Sequence, residues 1–206
     1  MQAPAAPTRH PWARWVQQAS GAILALERLA LMGLMGLLTL LILLNVITRY
    51  TGMPIYWVDE ASVYTVVWLC FVGASAMTRL RLDFAVTLLT DWLSERNARR
   101  VKALATFGVL LFGLALLTMC WVWMDPVGIA RYGFDAKAYA ADSFNFLYTE
   151  RTQTLNWPSW AVQLVLPLFG IGFTVHAAAN LVEDLGLRPR AEIRGFDLGN
   201  AEETVN

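Results

Sequence analysis

Two histidines, two cysteines and a knot of charges in "NVITRYTGMPIYWVDEASVY" (residues 45–64) are the positions from which this 206-residue chain could draw chemistry. A haem held between membrane helices needs two histidines at matching depths. The chain offers His10 near its start and His176 far along it. A zinc site gathers about four nitrogen or sulfur ligands, and Cys70, Cys120 and His176 have no such spacing. Neither a phosphate-binding glycine loop nor a nucleophile motif is present. His176 therefore reads as a hydrogen-bonded packing residue and the cysteines as small packing residues. No enzyme activity, cofactor, metal or nucleic-acid partner is expected. The charge knot is different. Asn45 and Arg49 close one apolar run, a Gly-Met-Pro turn follows, and Trp57, Asp59 and Glu60 open the next. A short hairpin brings Arg49 within ion-pairing distance of Glu60, with Asp59 as the competing partner. The plainer alternative is that these charges only anchor helix ends.

The elements that must position these residues follow from where charge is missing. The chain is 57% hydrophobic, and residues 29–48, 61–78, 103–124 and 152–182 contain no Asp, Glu, Lys or Arg. About 20 helical residues cross a bilayer core, so the fold class is an all-α integral membrane protein with spans at about 29–49, 60–79, 102–124 and 158–182. Grouping alternate connections puts twelve Lys and Arg on one side and four on the other. Cations stay cytoplasmic, which predicts cytoplasmic termini. The domains expected are a cytoplasmic tail with an interfacial helix (1–27), a membrane domain (28–182) and a cytoplasmic tail (183–206). In the first of these, Trp12, Trp15, Val16, Ala19, Ile23 and Leu26 recur at helical spacing. A second amphipathic helix is expected at about 84–98, with an ordinary helical loop as the alternative. A long connection over 125–157 is expected to face outward, the periplasmic loop of a bacterial membrane protein. It is too rich in aromatics for plain disorder, and a short helix is expected around "AKAYAADSFNFLY". Small residues four apart, Cys70, Ala74 and Thr78, then Gly170, Thr174 and Ala178, suit close helix contact in lipid.

"NVITRY", "WVDE", "WLCFVGASAM" and the basic "RLRLD" segment, in this order over residues 45–83, resemble the small membrane (Q-type, DctQ-like) subunit of tripartite ATP-independent periplasmic (TRAP) transporters. Arg79 stands where many members have a histidine. The resemblance implies Asn45, Arg49, Tyr50, Trp57, Asp59, Glu60, Trp68, Gly73 and Asp83 as motif positions at a structural or partner interface. Arg49 and Glu60 would pin the hairpin, and Trp57 and Trp68 would set depth and helix contacts. Gly73 would permit close approach, and Asp83 would orient the basic turn. The resemblance further implies three partners: a large permease subunit, a periplasmic solute-binding protein and the lipid bilayer of a bacterial inner membrane. The small subunit would brace the permease for cation-coupled uptake of an organic acid. A tripartite tricarboxylate transporter subunit and the membrane anchor of a respiratory complex are the rivals.

Overall fold

The computed structural model describes residues 11–81 and 94–191. Asp83 and the greater part of the expected 84–98 helix lie outside the described residues. Four long apolar helices carry the fold: α1 (Pro11–Tyr50), α2 (Tyr56–Leu80), α3 (Glu95–Met124) and, after the short helices α4 (Pro126–Arg131), α5 (Ala136–Ser143) and α6 (Ser159–Gln163), α7 (Val165–Asp184). Among the described residues the only β pairing is a single bridge between Arg151 and Pro158.

α1 departs from the expected boundary near residue 28. Its 40 residues form one unbroken helix, about 60 Å long at the usual rise and twice the thickness of a bilayer core. No proline interrupts the sequence between Pro11 and Pro54, so nothing separates the amino-terminal segment from the first span. The helix stops at a Schellman motif. Met53 N–H donates to the Thr48 carbonyl and Gly52 N–H to that of Arg49, with Gly52 at φ 76°. Pro54 then forbids continuation. α7 ends in the same way: Leu187 N–H donates to Val182, Gly186 N–H to Glu183, and Gly186 sits at φ 73°. Glu183 and Asp184 thus fall at a fixed helix end. At the start of α7, Pro167 cannot donate to the Gln163 carbonyl, and the helix is interrupted at Leu164.

α7 is the hub. It packs against α1, α2 and α3, while α3 has its principal contact with α7. An aromatic chain runs through this junction, Phe71 to Phe169 at 5.3 Å, Phe169 to Phe173 at 5.3 Å and Phe173 to Phe112 at 5.8 Å between centroids. The buried faces mix small and polar residues with a few aliphatic ones. On α1 they are Ala13, Ser20, Leu24, Glu27 and Leu41. The apolar stripe read from the sequence faces the other way, with Trp12, Trp15 and Leu26 exposed. In lipid, apolar side chains gain nothing by turning inward, and small or hydrogen-bonding ones pack helices together.

Candidate functional site

The polar side chains gather at three levels along the bundle. At the end where α1 meets α2, Asn45 lies one turn before Arg49 on the same helical face. Arg49 Nη2 reaches Asp59 Oδ2 at 2.6 Å, its Nε donates to Asn45 Oδ1 at 2.8 Å, and Asn45 Nδ2 donates to Asp59 Oδ1 at 2.5 Å. The partner of Arg49 is therefore Asp59, and the expected Arg49–Glu60 pair is corrected. Neighbouring helical residues point about 100° apart, so when Asp59 faces α1, Glu60 cannot. Glu60 instead receives the backbone N–H groups of Gln153, Thr154 and Leu155 at 2.9, 2.7 and 2.8 Å, and the Thr154 hydroxyl at 2.5 Å. One carboxylate thus clasps the tip of a small hairpin. That hairpin is closed by Thr152 N–H to the Trp157 carbonyl and Ser159 N–H to that of Glu150.

These two acids should behave differently. Arg49 and Asp59 are 60% and 50% exposed, and exposed pairs contribute about 0–1 kcal/mol. Asp59→Ala is expected to leave the melting temperature nearly unchanged. Glu60→Ala frees three backbone donors and should make residues 150–157 the first site cut in limited proteolysis. Equal cleavage rates in the two variants would contradict this assignment.

The remaining motif residues scatter. Trp68 Nε1 donates to the Val162 carbonyl at 3.0 Å, fixing α2 to α6. Trp57 and Trp68 both line a 420 Å³ apolar cavity between α1, α2 and α6. Tyr50 is 89% exposed, and a methyl added at Gly73 would meet only the Leu31 side chain, at 3.8 Å.

The long connection is ordered as a cap on α3. Asn145 Nδ2 and the Tyr148 hydroxyl donate to the Trp123 and Met124 carbonyls, two acceptors left over at the helix end. Asp125 ends α3 and begins α4, accepting from Gly128 N–H and from the Tyr139 hydroxyl. Burial, then the bond to Asp125, raises the Tyr139 phenol above its ordinary value. The expected short helix is α5, whose amino end Asp135 caps.

At the middle level, His176 is fully buried. Its Nε2 lies 3.0 Å from Glu27 Oε2 and its Nδ1 2.8 Å from Ser20 Oγ. Both ring nitrogens thus lie within hydrogen-bonding distance of a side chain from α1. Glu27, assigned above to the segment preceding the first span, thus reaches a histidine of the fourth. Ser20 and Glu27 are two turns apart on one face of α1. Ser75 Oγ, buried without a hydrogen-bond partner, and Glu27 Oε1 both crowd the bare Cα of Gly172.

At the far end sits the densest cluster. Arg79, 3% exposed, donates to Glu183 Oε1 at 2.6 Å and to Asn180 Oδ1 at 2.5 Å; Glu183 is 2% exposed. Arg81 reaches Asp184 at 2.6 Å, Glu183 at 3.3 Å and the Asn180 carbonyl at 2.8 Å. Gln17 from α1 and Thr106 from α3 complete the set, donating to Glu183 and Asp184. All four long helices meet there. Arg81 holds a left-handed backbone, φ 56°, which costs a non-glycine residue about 1–2 kcal/mol and is offset by these bonds. Sequence reasoning placed Arg79 in a cytoplasmic turn and left Glu27, Asn180, Glu183 and Asp184 without roles. The signal available was the flanking of apolar stretches by opposite charges, Arg79 after residue 78 and Glu183 after residue 182.

Comparison with known proteins adds one match. The family model described as "Tripartite ATP-independent periplasmic transporters, DctQ component" matches residues 38–187. Curated proteins and solved structures give no significant match.

Proposed function

The chain belongs to the DctQ component family of the tripartite ATP-independent periplasmic transporters, and on that premise we propose that it is the fixed scaffold of a secondary transporter. It braces a large permease subunit, which carries an organic acid inward with a cation after a periplasmic binding protein delivers the solute. Its place is the bacterial inner membrane, with both termini cytoplasmic, a reading supported by the twelve-to-four division of cations. The family match favours this over a tricarboxylate carrier subunit.

One observation supports the scaffold role above others. Glu27, Arg79, Arg81, His176, Glu183 and Asp184 are bound to one another across helices. Ionisable groups in membrane helices mark a solute pathway when they line it; here they hold the helices in place. The outward faces of α1 and α3 carry Leu29, Met32, Leu40, Leu43, Leu111 and Phe112, surface for lipid and for another membrane subunit.

Co-expression with a neighbouring permease gene should give a complex that survives purification. Vesicles containing the permease and this chain, supplied with the binding protein, should accumulate a carboxylate under a sodium gradient, and vesicles with this chain alone should not. Uptake by the single chain would overturn the proposal.

A further inference from the structure

The Arg79 end of the bundle also contains a 430 Å³ cavity between α3 and the end of α7, lined by Ala98, Lys102, Asp184, Gly186 and Arg190 among others. Among the described residues its charges do not balance. Glu183 is taken by Arg79, Arg81, Gln17 and the Ala191 N–H, and Asp184 by Arg81 and the Thr106 hydroxyl. Arg190 and Arg81 repel Lys102, and among the described residues Asp184 attracts it. Among the described residues, neither Lys102 nor Arg190 has a hydrogen-bonded or ion-paired partner. Two cations without a partner among the described residues therefore face a cavity of ligand size.

The cavity also lies at a defined depth. Lys102 immediately precedes the charge-free stretch 103–124. Leu185, on the cavity wall, is an exposed apolar side chain. A ligand seated here meets two cations, with the exposed Leu185 side chain beside them. Basic recesses between membrane helices bind anionic headgroups, and phosphate oxygens accept charge-assisted hydrogen bonds from lysine and arginine. We propose that this cavity holds the phosphate headgroup of an anionic phospholipid, gripped by Lys102 and Arg190. The site requires only that the helices span a bilayer, so its failure would leave the scaffold reading intact.

The full-length chain, reconstituted in nanodiscs of phosphatidylcholine with a minor share of phosphatidylglycerol and then extracted, is analysed by native mass spectrometry. The wild type should retain phosphatidylglycerol in preference to phosphatidylcholine. K102Q/R190Q should lower that retention roughly 30-fold, since each interfacial cation contributes about fivefold, whereas K102R/R190K should keep it. Inorganic phosphate should not displace the lipid; displacement at matching concentration would make this a soluble-anion site and overturn the proposal. If K102Q/R190Q fails to fold, a salt titration of the wild type decides. Retention should fall with ionic strength while helicity stays constant, and retention insensitive to salt, or equal for the two lipids, would overturn the assignment.

Discussion

Arg79→Ala is expected to destabilise the bundle by about 3 kcal/mol, because removing one partner of a buried ion pair leaves the other uncompensated. Glu183 is 2% exposed and loses its 2.6 Å partner, while Asn180 Oδ1 loses its donor. Arg81 at 3.3 Å and Gln17 at 3.0 Å remain to Glu183, which keeps the loss at the lower end of the range for such pairs. Arg79→Met with Glu183→Gln removes both charges and keeps comparable volumes, so the double variant should recover much of the loss. Thermal unfolding of purified protein in detergent, followed by far-UV circular dichroism, measures this. A double variant as unstable as Arg79→Ala would mean that the uncompensated charge of Glu183 is not the source of the loss. The consequence reaches function, because this cluster joins all four long helices at the end where α2 stops. A permease braced on this subunit would lose its fixed partner, and complex yield should fall with stability.

What could be read beforehand, and what could not, follows from the same physics. The four spans were legible because burying charge in hydrocarbon is costly, so 29–48, 61–78, 103–124 and 152–182 exclude it. The motif order around Asn45, Arg49 and Asp59 was legible too. Their pairing was not. Asp59 and Glu60 are adjacent, and the choice between them rests on a hairpin tip more than ninety residues further along the chain. Similarly, the periodicity of Trp12, Trp15 and Leu26 correctly indicated a helix. Which face packs inward depends on the solvent, and lipid removes the drive that turns apolar side chains inward in water. The stripe that mattered was Ala13, Ser20, Leu24 and Glu27, inconspicuous because it mixes a small residue, a hydroxyl, an aliphatic chain and an acid. Glu27 looked like a residue outside the membrane domain until the continuity of α1 brought it against His176.

Glycine substitutions separate close approach from mere absence of a side chain. Gly172→Ala is expected to cost about 2 kcal/mol, the usual range for overpacking. The added methyl would lie 2.6 Å from Ser75 Oγ and 2.8 Å from Glu27 Oε1. Both residues are buried, and Glu27 is tethered to His176, so it does not swing away without breaking that bond, while the Ser75 hydroxyl has no bond to lose. Gly113→Ala should be comparably harmful, since Thr174 presents its hydroxyl at 2.5 Å and its backbone Cα at 3.3 Å. Gly170→Ala should cost less, because the obstacle at 2.9 Å is the mobile end of Leu117. Gly73→Ala reverses the sign. The nearest atom is Leu31 Cδ2 at 3.8 Å, an ordinary contact, and alanine gains up to about 1 kcal/mol over glycine within a helix. Melting temperatures in one detergent should therefore rank Gly73→Ala at or above wild type, Gly170→Ala below it, and Gly172→Ala and Gly113→Ala lowest. If Gly73→Ala instead proved the most damaging when the permease is co-expressed, with the isolated subunit unaffected, the motif glycine would be serving a contact between subunits. Such a result would place the permease against the α2 face that carries Gly73, while the same pair of measurements on Gly172→Ala should show the loss already in the isolated chain.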